Sequence, residues 1–206
     1  MPARVVIWAV TGLLLVNSIV SADIYQWEYI DPAQPELGKQ QSLTLCPDGA
    51  GASAVPQANL DFRNLTQAYL IGSDLTGASF YSATLTDADM TNAVVNGASF
   101  CSTTGKGFTA AQLYSTASYA GGDLTGIGLS DNDLTGWNFA SKDLDYAEFC
   151  RAVVKGANFG DTTRQGFTVL QLYSTASYTS GDLTGIGLSC NDLTEWNFSG
   201  ERPHQR

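Results

Sequence analysis

The chain has 206 residues, with 20 acidic and 10 basic side chains and a formal net charge of −10. This negative balance argues against binding to a nucleic-acid phosphate backbone, which needs a basic surface. Charged residues make up only 15% of the chain, and its many glycines and small polar residues favour turns and stacked extended chain over long amphipathic helices.

The first 22 residues differ in character from the rest. Arg4 precedes the apolar stretch VVIWAVTGLLLV, and small side chains end at Ala22, just before Asp23. This arrangement is typical of a secretory signal peptide over 1–22, and the alternative is a membrane anchor, which the short apolar stretch disfavours. No second apolar stretch of membrane length follows. We therefore expect no membrane span after signal removal, and a protein that is secreted or held in the cell envelope.

Residues 23–57 form a predicted N-terminal capping segment. Tyr25, Trp27 and Tyr29 alternate in IYQWEYI, which predicts a strand with an aromatic face. The following CPDGAGASAVP is rich in turn formers. Because the open end of a repeat array exposes its core and its unpaired edge, we expect these three aromatic residues to cover the start of the array that follows.

A period of five residues runs from position 58 to position 199. Apolar residues recur at every fifth position from Leu60 to Phe100, from Leu124 to Phe159 and from Leu183 to Phe198. In the first run, seven of the nine residues that stand two positions earlier are alanine. A period of five fits neither a helix nor a strand, so the chain must turn a corner every five residues, which predicts a repeat array.

The units ANLDF, SDLTG, ADMTN, NDLTG and GANFG resemble the repeats of the pentapeptide-repeat family. The resemblance covers 58–199 apart from two interruptions. It implies an all-β solenoid, a right-handed quadrilateral β-helix of about five coils, in which four pentapeptides make one coil. The central Leu or Phe and the small residue two positions before it would point inward.

Two inserts, near 101–122 and 160–181, interrupt the period. Thr109 and Thr168 are predicted N-caps, and helices are expected over 109–119 and 168–178. If each insert replaces one side of a coil, the two helices lie side by side on one flank. The phrase DLTGIGLSDNDLTGWNF at 123–139, which returns with two changes at 182–198, would then occupy stacked and equivalent places.

The same count of sides predicts a disulfide. It places Cys150 and Cys190 in adjacent coils, about 6 Å apart, which is within the range for a bridge. The alternative is two free thiols. On this count Cys101 falls on the opposite side from Cys150, and it can reach Cys46 only if the N-terminal segment folds along the stack, so the pairing of these two is left open.

No catalytic, cofactor-binding or metal-binding residue is predicted. The four cysteines form no CxxC pair, and the only histidine, His204, lies in the polar tail at 200–206. Gly126 and Gly128 are interpreted as part of a repeat variant, and Asp131 and Asp133 as part of a solvated wall in preference to a calcium site.

The predicted function is that of a non-catalytic exported module, structural or binding an unknown protein or glycan at the cell surface, without nucleic acid and without a cofactor. One alternative is a DNA-mimic inhibitor of a DNA-binding enzyme such as gyrase, because relatives of the resembled family imitate duplex DNA. A carbohydrate-active β-helix enzyme is the least favoured alternative. The short polar tail is a weak cap, so self-association at the C-terminal end is a further expectation.

Overall fold

The structure, a computed structural model, describes residues 23–199. The predicted signal peptide at 1–22 and the polar tail at 200–206 lie outside the described residues.

The backbone of the repeat region turns a corner every five residues, at a residue with positive φ. In the first circuit these residues are Phe62, Gln67, Gly72 and Gly77, with φ values of 60°, 62°, 66° and 66°. This conformation costs residues other than glycine because Cβ approaches the following carbonyl oxygen. At Phe62 the amide N donates to the Tyr81 carbonyl at 2.9 Å. The neighbouring circuit therefore holds a corner that local preference alone disfavours.

Residues twenty positions apart pair as neighbouring parallel strands. The bridges in the first circuits are Asn59 with Ser79, Asn64 with Thr84, Tyr69 with Asp89 and Asp74 with Val94. One circuit therefore takes twenty residues and four corners, and we number its sides one to four after Leu60, Leu65, Leu70 and Leu75.

The central residue of each pentapeptide points into the stack. The amide N of Leu70 donates to the Asp89 carbonyl at 3.0 Å, so Leu70 lies next to Met90 on side three, as the period predicts. On side one, the rings of Phe80 and Phe100 stack with their centroids 5.0 Å apart. All four of these side chains are fully buried. Each contributes about 1.5–3 kcal/mol by leaving water.

The small residues beside the central ones are buried as well. Ala78, Ala83 and Ala98 have no exposed surface, because a larger side chain would collide with the central residues inside a narrow four-sided stack. Two exceptions to alanine leave the stack: Arg63 donates through Nη1 to the Asp48 carbonyl at 2.7 Å, and Lys142 lies 4.3 Å from the centroid of the Tyr119 ring.

A two-stranded hairpin lies at the N-terminal end. Strand β1, Tyr25–Tyr29, pairs antiparallel with β2, Lys39–Leu45, and a 3-10 helix, Pro35–Leu37, lies between them. Strand β1 also pairs with the first circuit, since the amide N of Tyr69 donates to the Tyr25 carbonyl at 2.8 Å and that of Trp27 to the Gln67 carbonyl at 2.9 Å. The predicted strand is therefore confirmed.

The side chains that cover the core at this end are not the predicted ones. Ile24, Cys46 and Ala52 are buried in the core, whereas Tyr25 and Trp27 are half-buried and Tyr29 is exposed. Alternation divides the side chains of a strand between two faces, but it does not say which face meets the core. In β1 the aromatic face lies outside the stack.

Each insert contains one 3-10 helix and two short α-helices. In the first insert these are Thr104–Lys106, α1 (Ala110–Tyr114) and α2 (Ala117–Gly121). In the second they are Thr163–Gln165, α3 (Val169–Tyr173) and α4 (Ala176–Thr179). The single helices expected over 109–119 and 168–178 are each divided in two.

Candidate functional site

The first helix of each insert begins at a capping box. Thr109 Oγ1 accepts a hydrogen bond from the amide N of Gln112, and Gln112 Oε1 accepts one from the amide N of Thr109. Thr168 and Gln171 repeat this arrangement at α3. The predicted N-caps are confirmed, and the reciprocal bonds satisfy amide groups that a helix start leaves without partners.

The same glutamines fasten the helices to the circuit beneath them. Gln112 Nε2 donates to the Leu85 and Ala88 carbonyls, both at 2.8 Å. Gln171 Nε2 donates to the Leu144 and Ala147 carbonyls at the same distances. At the Ala88 and Ala147 carbonyls, each glutamine takes the place of the backbone amide that a regular pentapeptide of the next circuit supplies, as the amide N of Asp89 does for the Ala68 carbonyl.

The division of each predicted helix has a local cause. Thr116 caps α2, since its side chain accepts a hydrogen bond from the amide N of Tyr119, and Thr175 caps α4 in the same way through Tyr178. A threonine that caps a new helix takes an extended backbone, which ends the preceding one. Both threonines are fully buried.

An asparagine braces each insert from the circuit above, and it is buried in the first insert and half-buried in the second. Asn132 Oδ1 accepts hydrogen bonds from the amide N of Thr103 at 2.8 Å and of Thr104 at 2.9 Å, and its Nδ2 donates to the Phe100 carbonyl at 2.8 Å. Asn191 makes the equivalent contacts with Thr162, Thr163 and Phe159. This asparagine is one reason why the sequence phrase around it occurs twice.

A pair of tyrosines holds the other end of each insert. The hydroxyl of Tyr114 accepts a hydrogen bond from the amide N of Asn138, and the hydroxyl of Tyr119 donates to the carbonyl of the same residue at 2.9 Å. The two rings stack with their centroids 4.4 Å apart. Burial, and then the neighbouring Tyr114, raise the pKa of Tyr119 to about 12. Tyr173 and Tyr178 hold Asn197 in the same way.

The inserts lie on opposite flanks of the stack, so the expectation of a shared flank is wrong. The amide N of Phe100 donates to the Gly128 carbonyl at 2.7 Å, which places Leu129 on side one. The amide N of Gly97 donates to the Thr125 carbonyl at 2.8 Å, which places Leu124 on side four. The first insert therefore crosses sides two and three and advances three sides, where the sequence argument assumed one.

The second insert repeats this step half a circuit further round. Phe159 stacks on Phe139 on side three, with the ring centroids 5.2 Å apart, whereas the first insert leaves from Phe100 on side one. Fifty-nine residues separate Asp123 from Asp182, and they advance two and a half circuits. The duplicated segments have equivalent surroundings because the four-sided stack looks alike after half a turn. Leu113 and Leu172 are buried against the stack.

The structure does not bring Cys150 and Cys190 together. Cys150 follows Phe149 on side one, whereas Cys190 lies beyond Leu188 on side three, because the amide N of Phe159 donates to the Gly187 carbonyl. Both are exposed free thiols. The predicted bridge depended on the insert count that the hydrogen bonds correct.

The other two cysteines are buried free thiols. Cys101 follows Phe100 on side one, so it lies on the same side as Cys150 and not on the opposite one. Cys46 lies in the capping segment, where burial raises its pKa to about 11.

A groove beside the first insert, which we call the first groove, is partly filled by the hairpin. It is a cavity of about 440 Å³ between Trp27 and Lys39 of the hairpin, the corner at 86–90 of the second circuit, and α1. Lys39 Nζ lies 2.7 Å from Asp89 Oδ2 and 3.5 Å from the centroid of the Trp27 ring. Trp27 Nε1 donates to the Asp87 carbonyl at 2.7 Å.

The cation in the first groove therefore lies against both a carboxylate and an aromatic face. Burial by itself raises the pKa of the Asp89 carboxyl, but hydrogen bonds from Lys39 and Thr91 outweigh it and hold that pKa below its ordinary value. Sequence reasoning missed this site, because Trp27, Lys39 and Asp89 lie far apart in the chain.

A second groove lies beside α3, at positions equivalent to those of the first groove. It is a cavity of about 420 Å³ lined by residues 147–150 of side one and by Leu170, Gln171 and Ser174. Glu148 lies 59 residues after Asp89, and Leu170 lies 59 after Ala111. The Glu148 side chain is exposed and has no hydrogen bond or ion pair with any residue within 23–199. Leu170 is 74% exposed.

The predicted acidic wall is solvated and partly paired. Arg151 forms an ion pair with Asp131 at 2.6 Å, and Asp133 Oδ1 accepts a hydrogen bond from the amide N of Thr135 at 3.0 Å. Within residues 23–199 there is no group of three or more His, Cys, Asp or Glu side chains that could hold a metal ion. No helix in the same range has both the length and the apolar character needed to cross a membrane.

Comparison with protein families identifies the first part of the stack. Residues 57–103 match the family model for pentapeptide repeats, in eight copies. This stretch is similar to the pentapeptide-repeat family. Pentapeptide repeats imply a right-handed quadrilateral β-helix, and the four corners per twenty residues agree with four pentapeptides in each circuit. No curated protein matches the chain.

The pentapeptide pairing continues beyond the matched residues. Parallel bridges twenty residues apart join Asp123 with Asp143, Gly128 with Glu148, and Asp133 with Val153. The match ends where the first insert begins, and the circuits above that insert follow the same geometry as the pentapeptide repeats beneath it.

Proposed function

We propose that this chain is a non-catalytic pentapeptide-repeat module of the secreted type, a right-handed β-helical solenoid with two helical inserts that binds a protein or glycan partner. The observation that carries the proposal is the way both inserts are fixed. Each is held by a glutamine below, an asparagine above and a tyrosine pair at its far end. These bonds fix the walls of two grooves on opposite flanks, and preorganised walls lower the entropic cost of binding.

The interior of the stack leaves no space for a binding or catalytic site. Its central residues are apolar and fully buried, so any function falls to the outer walls and the inserts. Binding surfaces commonly occur on segments that a rigid scaffold positions, and here the inserts are such segments. We infer that the stack serves as the scaffold and that the two flanks carry the binding surfaces.

Export is the second part of the proposal, and it is supported by the sequence at 1–22 alone. The module would act outside the cytoplasm or in the cell envelope. Its net charge of −10 favours partners that carry basic groups.

Imitation of duplex DNA is the second candidate, and the acidic surface favours it. Asp74, Asp123 and Asp143 stand at equivalent positions of side four in three circuits, and Val94 takes that position in the circuit between Asp74 and Asp123. Export would separate such a mimic from a cytoplasmic enzyme, so we place it second.

Fractionation of cells that make the native chain, followed by a pull-down with the mature protein, tests the proposal. We expect a processed chain outside the cytoplasm and a partner released by high salt. An uncleaved chain in the cytoplasm would contradict export. Inhibition of gyrase supercoiling at sub-micromolar protein would favour the DNA mimic, and turnover of a polysaccharide that one carboxylate substitution abolishes would favour an enzyme.

A further inference from the structure

The two grooves are built from equivalent positions, and within residues 23–199 a side chain of the hairpin enters only the first. The helical walls make equivalent bonds: Ser115 Oγ donates to the Gln112 carbonyl at 2.8 Å, and Ser174 Oγ donates to the Gln171 carbonyl at 2.7 Å. The first groove therefore shows what such walls hold, which is a lysine side chain from a neighbouring extended segment.

The second groove keeps the acidic group of the first. Glu148 occupies the position of Asp89, the residue that receives the Lys39 ammonium. The nearest cation in sequence does not neutralise it, because Arg151 is bound through Nε and Nη2 to the two carboxylate oxygens of Asp131, both at 2.6 Å.

The second groove also carries a larger exposed apolar side chain than the first. Leu170 stands where the first groove has Ala111, and it is 74% exposed. Tyr146, two residues before Glu148, is 79% exposed and stands where the first groove has Asp87. The Glu148 carboxylate suits a cation, and the exposed leucine suits an apolar neighbour of that cation.

We propose that the second groove binds an extended, basic segment of a partner protein, with a lysine or arginine at Glu148 and an adjacent apolar side chain on Leu170. The proposal rests on the proposed interaction function and names the partner chemistry for one flank. Charge complementarity supports this occupant, because the whole chain carries a net charge of −10.

The test uses the full mature chain and a labelled nine-residue peptide of alternating valine and lysine, followed by fluorescence anisotropy. We expect saturable binding that weakens in 0.5 M salt and is absent for a peptide with glutamine in place of lysine. Glu148→Gln should weaken binding about fivefold, the scale of one partly exposed ion pair. Leu170→Ala, which restores the residue of the first groove, should weaken it about threefold.

Glu36→Gln is the matched control, because it removes the same charge outside both grooves and should leave binding unchanged. Thermal melts should be alike for all three variants, since each replaced side chain is exposed. Equal affinities for the wild type, Glu148→Gln and Leu170→Ala would overturn the proposal. Self-association that Glu148→Gln abolishes would also overturn it, since the groove would then belong to a second copy.

The two proposals fail in different ways. A partner from the pull-down that Glu148→Gln still captures would leave the interaction function in place and exclude this groove as its site. The absence of any captured partner, with no peptide binding, would count against both.

Discussion

Replacing Asn132 tests how the inserts are attached. In Asn132→Ala, the amide N of Thr103 loses its 2.8 Å bond and the amide N of Thr104 its 2.9 Å bond. Thr103 is fully buried and Asn132 is 2% exposed, so water cannot easily replace the lost acceptor. A buried unsatisfied amide costs about 1–3 kcal/mol, and the Thr104 amide, which is half-buried, adds a smaller loss. We expect a total of about 2–4 kcal/mol.

Asn191→Ala supplies a matched comparison within the same chain. Asn191 accepts from the amide N of Thr162 at 2.7 Å and of Thr163 at 2.9 Å, but it is only half-buried. Water can take the place of its side chain, so we expect a loss of about 1–2 kcal/mol.

Urea denaturation followed by circular dichroism, under reducing conditions, measures both losses against the wild type. The comparison needs a slope of free energy against urea that is alike in all three proteins, since stacked repeats do not always unfold in one step. A loss below about 1 kcal/mol for Asn132→Ala would refute the bracing argument. Equal losses for the two variants would refute the dependence on burial.

Three further predictions concern the stack and its hairpin. Leu134→Asp should cost more than about 4 kcal/mol, because it buries an unpaired charge, while Thr135→Asp on the outer wall should cost less than about 1 kcal/mol; equal shifts in thermal melts would show that the inward positions are misassigned. Because the pKa of Asp89 is lowered in the fold, its carboxylate stabilises the chain above the unfolded pKa, and this contribution disappears as the pH falls through the folded pKa. At pH 7 the free energy of unfolding of the wild type should therefore exceed that of Asp89→Asn by about 1 kcal/mol, and urea titrations should show this difference disappearing below about pH 4. A difference that does not depend on pH would contradict the stabilising role of the Asp89 carboxylate. Gly107→Ala should destabilise by more than about 3 kcal/mol, since its Cβ would lie 2.6 Å from a backbone atom of the circuit below. Gly136→Ala should cost only about 1 kcal/mol, because it meets nothing within 4 Å and suffers only from its positive φ; similar melting temperatures for the two glycine variants would be the contrary result.

The five-residue period made the core predictable. Leu70, Met90 and the other central residues lie where the period places them, because an apolar residue at every fifth position has only one way to be buried in a chain that turns at each corner. The helix starts at Thr109 and Thr168 were predictable for a similar reason, since a capping box is a local arrangement of neighbouring residues.

The path of the inserts was not predictable from the sequence. The sequence shows how many residues each insert has but not how many sides it crosses, and a short helix and a 3-10 turn can cover one side or two. The hydrogen bond between Phe100 and Gly128 fixes the number of sides that the first insert crosses. The positions of the helices, and of Cys150 relative to Cys190, depend on that number. The duplicated phrase carried one signal that sequence reasoning missed, which is an asparagine at the same place in both copies. These two residues, Asn132 and Asn191, are the buried and half-buried amide side chains that brace the inserts.

By itself, the sequence determined which side chains point inward and where the regular circuits stop, because both follow from local spacing. The tertiary structure decided which flank each insert occupies, which carboxylate receives Lys39, and which groove the hairpin enters. Those outcomes depend on contacts between residues at least twenty positions apart, and such contacts are set by how the circuits stack.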